Sequence, residues 1–319
     1  MSTLSSPTTL PTIDFSNQDQ LKPGSLEWES LKSQVRKALE EYGCFEAGFK
    51  KASEDEERAA AIDFSALDGL FDLPLETKTP KESDDASYAY FGQIPHGPLF
   101  EGFTIFDPTS LEKISGFAKL MWPQGNTTFS NTIHSLTSEM LSFHDTLRKM
   151  ILESLGVEKY LAELENSSCY NIGIQKYEEP RTNEAKTALN PHKDSNVMTI
   201  LYPSEVDGLE VQTKDGDWIQ ARPPSNSFVV VVGETLDAWT NGRFHVPVHR
   251  VTMAGNVRRY SVGLFILLKK GYIVKAPEEL IDEEHPLAYK PFDYTEFRKY
   301  RQKHSDTPIL FDLKSYCGV

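Results

Sequence analysis

The spacing of apolar residues divides the chain into a helical and a strand-rich part. Between Thr127 and Leu155 apolar side chains recur every three or four positions, which predicts one long amphipathic helix. A shorter pattern of the same kind predicts a helix over residues 28–42, preceded by Ser25 as a capping residue. From Cys169 onward the period falls to two, which is typical of strands with alternating side-chain faces.

The second half of the chain predicts short strands separated by turns that contain glycine and proline. We expect these strands at 170–177, 197–201, 209–212, 218–220, 227–232, 248–253 and 260–268. Such spacing favours a double-sheet jelly roll over a parallel α/β sheet. The predicted fold class is α+β: a double-stranded β-helix (jelly-roll, cupin-like) barrel with a mainly helical N-terminal region and a C-terminal helix over 294–304.

These patterns predict three regions along the chain. Residues 1–9 are rich in Ser, Thr and Pro and are expected to form a disordered tail. Residues 10–165 form the mainly helical region, and residues 166–319 form the jelly-roll domain with its C-terminal helix. Because no linker separates them, we expect the two larger regions to pack as one unit.

Two stretches are predicted to be loops. Residues 88–106 combine six aromatic residues with Gly and Pro, which argues against a long helix or a central strand. Their rings need an apolar surface, such as the mouth of a pocket, although they could equally seal the junction between helices and barrel. Residues 181–186 are polar and are expected to form a loop that leads to His192.

Charge and cysteine content narrow the classes of function. With 33 basic and 47 acidic residues the net charge is −14, which disfavours nucleic-acid and anionic-membrane partners. No run of 18 apolar residues predicts a membrane-spanning helix, and the N-terminus lacks the pattern of a signal or transit peptide. Three distant cysteines predict free thiols in a reducing compartment. We expect a cytoplasmic protein, with the nucleus as an open alternative, that binds a small molecule; the oligomeric state is unknown, and a monomer agrees with the sequence.

Three polar residues in the strand-rich part have the spacing of metal ligands. His192 and Asp194 are two residues apart, so they point to the same side of an extended segment. His249, on a later predicted strand, can bring a second imidazole to that side. Two histidines and one carboxylate form the facial triad of non-heme Fe(II) oxygenases, which leaves three positions open. Zinc takes the same ligands, so these residues alone do not choose the metal.

Two further residues on the last predicted strand suit a carboxylate. Arg259 and Ser261 share one face, and a planar guanidinium beside a hydroxyl can hold a carboxylate through two hydrogen bonds. His245 competes with His249 as a metal ligand because it precedes it by four residues. These residues alone leave the choice open; the family resemblance described next favours His249 and leaves His245 at the rim of the site or in support of a ligand.

Together, His192-Lys193-Asp194, His249 and Arg259-Tyr260-Ser261 resemble the HxD…H…RxS signature of plant Fe(II)/2-oxoglutarate-dependent dioxygenases. The likeness covers nearly the whole chain. It includes Leu10-Pro11-Thr12-Ile13-Asp14, Gly208-Leu209-Glu210-Val211 and Gly233-Glu234-Thr235-Leu236. The segments Gly92-Gln93-Ile94-Pro95 and Ser261-Val262-Gly263-Leu264-Phe265 are most similar to the AOP-type branch. That branch acts on glucosinolate side chains, and related members act on auxin and steroidal alkaloids.

The resemblance implies an enzyme with an Fe(II) cofactor held by His192, Asp194 and His249. Its cosubstrates would be 2-oxoglutarate and O2, with ascorbate as a candidate reductant. The distal carboxylate of 2-oxoglutarate would be bound by Arg259 and Ser261, assisted by Tyr177. Many family members have Asn two residues before this tyrosine, whereas this chain has Gln175. Lys193 points away from the iron by strand alternation and is assigned no role.

The implied reaction is oxidation, first of all hydroxylation, of an unactivated C–H in a small plant specialised metabolite or hormone, with release of succinate and CO2. Desaturation, dealkylation or ring closure would use the same residues. Phe91, Phe100 and Phe265 are the predicted substrate pocket. Two other classes remain open, a metal hydrolase on a cupin-like barrel and a non-catalytic ligand-binding barrel. The hydrolase would have no use for Arg259, and the intact ligand set argues against the binding barrel.

Overall fold

The structure is a computed structural model that describes residues 9–17, 21–49, 64–80, 87–94, 97–180, 182–224, 226–305 and 309–319. The first eight residues of the predicted N-terminal tail lie outside these ranges, as do Pro95 and His96. Within the described ranges, no helix combines the length and the apolar character that crossing a membrane would require.

Helices dominate the first half of the chain and strands the second. The helices are α1 (Leu26–Glu41), α2 (Ser65–Phe71), α3 (Leu75–Lys78), α4 (Leu111–Met121), α5 (Thr127–Leu155), α6 (Leu161–Ser167), α7 (Glu234–Trp239), α8 (Tyr294–Lys303) and α9 (Leu313–Cys317). The strands are β1 (Thr12–Asp14), β2 (Cys44–Gly48), β3 (Tyr88–Ile94), β4 (Gly97–Phe106), β5 (Ser168–Tyr177), β6 (Thr182–His192), β7 (Met198–Pro203), β8 (Leu209–Gln212), β9 (Trp218–Gln220), β10 (Phe228–Val232), β11 (His249–Gly255), β12 (Arg259–Leu268), β13 (Ile273–Val274) and β14 (Phe292–Asp293).

Two sheets face each other, as predicted for a jelly roll. The large sheet has the order β1-β2-β10-β7-β12-β5-β4-β3, and the small sheet has the order β6-β11-β8-β9. One apolar cluster contains residues of both sheets, including Ala188, Val229 and Val251. No ladder joins the two sheets among the described residues, so the expected barrel is a two-sheet sandwich rather than a closed cylinder.

The large sheet is buried on both faces. All five residues of β10 are buried, and their side chains alternate between two clusters. Phe228, Val230 and Val232 pack among the helices, whereas Val229 and Val231 pack toward the small sheet. The first four strands of the chain belong to this sheet, so the two predicted regions share one core. The boundary between residues 165 and 166 stays a prediction.

The long helix α5 has the bounds that its sequence predicts. The Asn126 side chain accepts a hydrogen bond from the Phe129 N–H at the start, and Gly156 ends the helix in the left-handed conformation at φ 68°. Ser25 caps α1 in the same way as Asn126 caps α5. Both α1 and α4 pack against α5, and this layer covers the outer face of the large sheet.

The prediction of a loop over residues 88–106 is wrong. This segment forms the hairpin β3–β4, and β4 lies between β3 and β5 within the large sheet. Alternation buries Tyr88 and Phe103 against the helices, so these rings pack at the junction between helices and sheet. The glycines do not break the strands because aromatic rings cover them; a Cβ on Gly102 would lie 2.9 Å from the Phe100 ring.

The polar segment 181–186 was also assigned wrongly, because residues from Thr182 belong to β6. This strand is at the edge of the small sheet, so it pairs with β11 alone and its polar side chains are exposed to solvent. The residues from Glu184 to Thr187 are exposed, and Ala188 is the first to reach the core. An edge strand of this kind lacks the alternation that marks a strand in a sequence.

A charged network on the outer face of the large sheet links α3 to β3, β4 and β5. Glu101 lies 2.6 Å from the Lys78 Nζ and 3.1 Å from the Lys176 Nζ, and both ammonium groups are buried. The Tyr90 hydroxyl donates to the same carboxylate at 2.7 Å. Burial alone would raise the pKa of Glu101, but the hydrogen bonds from Lys78, Tyr90 and Lys176 outweigh it and hold that pKa below its ordinary value.

We expect Glu101→Gln to lower the free energy of unfolding by about 3 kcal/mol at pH 7, because it leaves two buried ammonium groups without their shared counter-charge. A carboxyl with a lowered pKa stabilises the fold above its ordinary pKa of 4.5 and loses that effect as the pH falls. The difference between variant and wild type should therefore shrink at pH 4. Urea denaturation at both pH values measures it.

Glu178→Gln is the matched control. Its carboxylate lies 2.7 Å from the same Lys176 Nζ but is 37% exposed, so its loss should cost less than about 1 kcal/mol. Equal losses for the two variants, or a difference that does not depend on pH, would show that burial of the network does not stabilise the fold.

Candidate active site

The antiparallel ladder between β6 and β11 brings two histidines together. His192 ends β6, His249 begins β11, and the two residues are directly paired in register. Their ring centroids are 4.2 Å apart. Asp194 follows two residues after His192, and its Oδ1 lies 3.7 Å from the Nε2 atom of each histidine. The three possible ligand atoms are all within 4.8 Å of one another.

The backbone fixes which imidazole nitrogen faces the site. The Nδ1 of His192 lies 2.8 Å from the Asn190 carbonyl, and the Nδ1 of His249 lies 3.4 Å from the Pro247 carbonyl. A carbonyl accepts a hydrogen bond, so each Nδ1 carries the proton and each Nε2 keeps a free lone pair. Burial, with the neighbouring His249, lowers the pKa of His192 to about 4, which keeps this imidazole neutral and able to bind a metal at pH 7.

Asp194 is held so that one oxygen remains free. Its Oδ2 accepts a hydrogen bond from the Thr199 hydroxyl, which in turn accepts one from the Asn196 side-chain amide at 2.8 Å. The Asp194 carbonyl accepts the Glu234 N–H at 2.8 Å, where α7 begins. Gly233 allows this approach because the Asn196 backbone occupies the space that a Cβ would need.

This donor set fits ferrous iron. Two imidazole nitrogens and one carboxylate oxygen lie close together, and this ligand set is typical of non-heme iron sites that keep open positions for further ligands. Within the described part of the chain, no other group of three His, Cys, Asp or Glu side chains comes close enough to hold a metal. His245 instead lines a separate cavity together with Lys193, Asp237 and Tyr289.

Arg259 and Tyr177 are paired across β12 and β5 on the inner face of the large sheet. The guanidinium is buried, and its Nε donates to the Val206 carbonyl at 3.1 Å, which fixes the plane of the group. Its Cζ lies 5.2 Å from the centre of the Tyr177 ring. Burial lowers the pKa of Arg259, yet an arginine starts high enough to stay protonated. A cavity of about 110 Å³ adjoins this residue, between Val206, Gly208 and Val229.

Gln175 connects the two hydroxyl groups of this site. Its Oε1 accepts a hydrogen bond from the Ser261 hydroxyl at 2.7 Å and lies 3.4 Å from the Tyr177 hydroxyl. Because Ser261 and Gln175 are paired in register, this contact joins the two strands that carry Arg259 and Tyr177. The residue that departs from the family pattern is therefore a structural part of the predicted carboxylate site. A buried guanidinium with two nearby hydroxyls suits one end of a dicarboxylate.

The three predicted pocket phenylalanines lie at different distances from this centre. Phe265 is the one half-buried residue of β12, and its ring lies over Gly173 and Gly263, where a Cβ would meet it. Phe100 packs on Tyr177 with ring centroids 5.5 Å apart. Phe91 is 44% exposed on the edge strand β3. The structure thus brings Phe265 and Phe100 to the inner face near the site and leaves Phe91 at the margin.

Sequence reasoning missed a group of charges behind the metal ligands. Lys193, to which we assigned no role, points away from the site as predicted, and its Nζ lies 2.9 Å from the Asp312 carboxylate. Arg301 and Glu234 form a second ion pair there, 3.1 Å apart. Burial raises the pKa of Glu234 to about 7, although Arg301 and the Leu313 N–H oppose the rise. The sequence holds no signal for these pairs, because their partners are far apart along the chain.

Comparisons with known proteins agree with this geometry. Residues 167–267 match the 2OG-Fe(II) oxygenase superfamily. The chain is 44% identical to the probable 2-oxoglutarate-dependent dioxygenase AOP1 of Arabidopsis thaliana, over 92% of this chain and 96% of that protein. It is 27% identical to the 2-oxoglutarate-dependent dioxygenase AOP2 of the same plant, over 97% and 98%. The crystal structure of the dioxygenase for auxin oxidation (DAO) in rice has a TM-score of 0.76 and 27% identity, and it covers 93% of this chain and 96% of that one.

These matches confirm the family, the double-stranded β-helix fold and the dependence on iron and 2-oxoglutarate that the motifs predict. They cover both the helical and the strand-rich parts of the chain. His192, Asp194 and His249 lie close enough together to hold the metal that such an enzyme needs. The chain therefore belongs to the Fe(II)- and 2-oxoglutarate-dependent dioxygenases.

Proposed function

We propose that this dioxygenase hydroxylates an unactivated C–H of a small plant specialised metabolite or hormone, with Fe(II) held by His192, Asp194 and His249. Arg259 and Ser261, supported by Tyr177, bind the distal carboxylate of 2-oxoglutarate. The observation that carries the proposal is the convergence of the three ligand atoms within 4.8 Å. A buried guanidinium on the inner face of the facing sheet supports it.

Iron and 2-oxoglutarate supply the oxidative chemistry when bound: one oxygen atom of O2 enters the substrate, and the other enters succinate as CO2 leaves. The residues of this chain bind and orient. Arg259 sets the position of 2-oxoglutarate through a charge-assisted pair that its buried surroundings strengthen. The apolar side chains between the sheets, such as Leu201 and Val229, exclude water from the site.

The proposal for the substrate rests on Phe265, whose ring packs against Gly173 and Gly263. Because neither glycine has a side chain, the Phe265 ring lies close against the sheet. An apolar or aromatic substrate can pack on the exposed part of this ring. The AOP and DAO relatives make plant metabolites and hormones the class to test first, and auxin is the first compound. Desaturation, dealkylation and ring closure would use the same groups, so the product decides among them.

We also propose a cytoplasmic location without nucleic-acid or membrane partners. The net charge of −14 disfavours contact with polyanions, and the free cysteines Cys44, Cys169 and Cys317 agree with a reducing compartment.

Anaerobic loading followed by a pulse of O2 tests the function. The purified protein is loaded with Fe(II), 2-oxoglutarate and a panel of plant metabolites that includes auxin, and products are read by mass spectrometry. We expect succinate in amounts that match an oxidised metabolite. Turnover of a metabolite without O2 or 2-oxoglutarate would instead indicate a hydrolase, and binding without succinate would indicate a non-catalytic protein.

The first prediction concerns the iron ligands. His192→Ala and His249→Ala should each abolish turnover and lose Fe(II), because each removes one of three donors. His245→Ala should retain Fe(II), since His245 lines a different cavity. Anaerobic Fe(II) titration of the apoprotein measures this. The assignment is wrong if His245→Ala loses the metal and His249→Ala keeps it.

The second prediction concerns the cosubstrate. Arg259→Gln should raise the 2-oxoglutarate concentration for half-maximal turnover by about 30-fold or more, because losing the partner of a buried charge costs about 2–5 kcal/mol. Fe(II) affinity should stay within about twofold, since Arg259 does not touch the ligands. The matched control is Arg258→Gln, whose half-exposed side chain pairs with Glu178 and Glu179 on the other face. An equal effect in both variants would contradict the assignment.

The third prediction concerns substrate choice. Phe265→Ala should change substrate affinity or the position oxidised, because it removes the ring on which the substrate is proposed to pack. Its 2-oxoglutarate affinity should stay within about twofold. Phe91→Ala should have the smaller effect, since Phe91 is 44% exposed at the sheet edge. Kinetics with the metabolite found in the panel measure both variants, and an unchanged profile for Phe265→Ala would place the pocket elsewhere.

A further inference from the structure

The loop that carries the iron ligands is held from the side opposite the metal. The Asp194 carbonyl accepts the Glu234 N–H at 2.8 Å, and the Lys193 carbonyl accepts a hydrogen bond from Arg301 at 3.1 Å. Both carbonyls belong to the two residues that come directly after His192. The backbone of Lys193 and Asp194 is therefore fixed through its carbonyl groups, by contacts that do not involve the side chains proposed to bind the metal.

Arg301 joins three separate parts of the chain at this point. Its Nη2 donates to the Lys193 carbonyl at 3.1 Å, and its Nη1 donates to the Phe311 carbonyl at 2.7 Å. Its Nε lies 3.1 Å from the Glu234 carboxylate. The side chain is 9% exposed, so these contacts are made in a largely dry environment. A planar guanidinium can serve three acceptors at once because its donors point in different directions.

Glu234 completes the connection between Arg301 and the ligand loop. Its carboxylate faces Arg301 and accepts the Leu313 N–H at 2.7 Å, while its own N–H is bound to Asp194. It is 2% exposed. A carboxylate buried to this extent needs a counter-charge, and Arg301 is positioned to supply it. The two charges thus link the start of α7 to α8 and to the segment before α9.

A second ion pair, between Lys193 and Asp312, also connects the ligand loop to the C-terminal segment. The Lys193 Nζ lies 2.9 Å from the Asp312 carboxylate, which also caps α9. The C-terminal segment Phe311–Leu313 therefore contacts the ligand loop directly through the Asp312 carboxylate, and it contacts Arg301 and Glu234 through the Phe311 carbonyl and the Leu313 N–H. Sequence alternation alone leaves Lys193 without a function, whereas the structure gives it a partner.

We propose that Arg301 is a positioning residue for the iron site: it locks the backbone of the ligand loop against the C-terminal segment and so sets where Asp194 stands relative to the two histidines. The inference rests on the proposed iron site. A buried ion pair by itself contributes little net stability, because desolvation of the charges offsets their attraction. The pair acts more directly on the geometry of the loop, because Arg301 contacts the Lys193 carbonyl and Glu234 contacts the Asp194 carbonyl.

The test compares Fe(II) affinity with the stability of the apoprotein. Arg301→Gln should weaken Fe(II) binding by about tenfold, the lower end of what lost supporting contacts cost at metal sites. At saturating Fe(II), 2-oxoglutarate affinity should remain within about twofold, because Arg259 is untouched. Arg301→Lys keeps the charge near Glu234 but cannot reach all three acceptors, so we expect a smaller loss.

Two controls separate positioning from general stabilisation. Asp293→Ala removes the side-chain cap of α8 and should lower the unfolding temperature of the apoprotein without touching the ligand loop. Arg298→Gln changes an arginine one turn earlier in α8, whose guanidinium lies near the Tyr294 ring. Both controls should bind Fe(II) as wild type does. An affinity lost equally in Asp293→Ala and Arg301→Gln would show a merely structural role and overturn the proposal.

The other possible results of this experiment also test the role of Arg301. Should Arg301→Gln fail to fold, Arg301→Lys decides the question, and wild-type Fe(II) affinity in that folded variant overturns the proposal. Wild-type affinity in a folded Arg301→Gln does the same. If His249→Ala binds Fe(II) as wild type does, the iron site itself is assigned wrongly, which is a different result from a normal iron site that ignores Arg301.

Discussion

The register between β6 and β11 is the constraint on which the active site depends. His192 and His249 meet because they are direct partners in this antiparallel ladder. A slip by one residue would turn either imidazole to the opposite face and separate the ligands. On the other side β11 pairs with β8 in regular register, and its Val251 packs in the core between the sheets. The ladder with β6 shifts register between His249 and Val251, and this irregularity sets His192 opposite His249. The metal site is in this sense a consequence of how the apolar residues of the small sheet are buried.

The candidate metal ligands and the buried arginine are carried by opposite sheets of the sandwich. Two imidazoles at the ends of strands of the small sheet lie beside the Asp194 carboxylate, while the buried guanidinium of Arg259 faces inward from the large sheet. In the proposed arrangement, 2-oxoglutarate would lie between this guanidinium and a cation held by the histidines. Behind the ligand loop, Arg301, Glu234 and Lys193 form pairs of their own, so their charges are compensated away from the iron position.

Features that depend on a fixed period along the chain are those that the sequence predicts best. Two-residue spacing placed His192 beside Asp194 and Arg259 beside Ser261, and three- to four-residue spacing gave the bounds of α5. Prediction failed where strand pairing rather than pattern decides. β6 is polar because it is an edge strand, and the hairpin β3–β4 tolerates glycine because neighbouring rings cover it. Arg301 could not be found because nothing local to α8 marks its distant acceptors.

The candidate cofactor residues and the margin of the proposed pocket lie on differently supported parts of the two sheets. His249 and Arg259 lie on β11 and β12, each of which is paired on both sides, so moving either residue disturbs the shared core. β3 pairs only with β4 at the edge of the large sheet, and its Phe91 is largely free of the core. A substitution at this edge therefore leaves the pairing of His192 with His249 unchanged, because among the described residues β3 makes no ladder with β6 or β11.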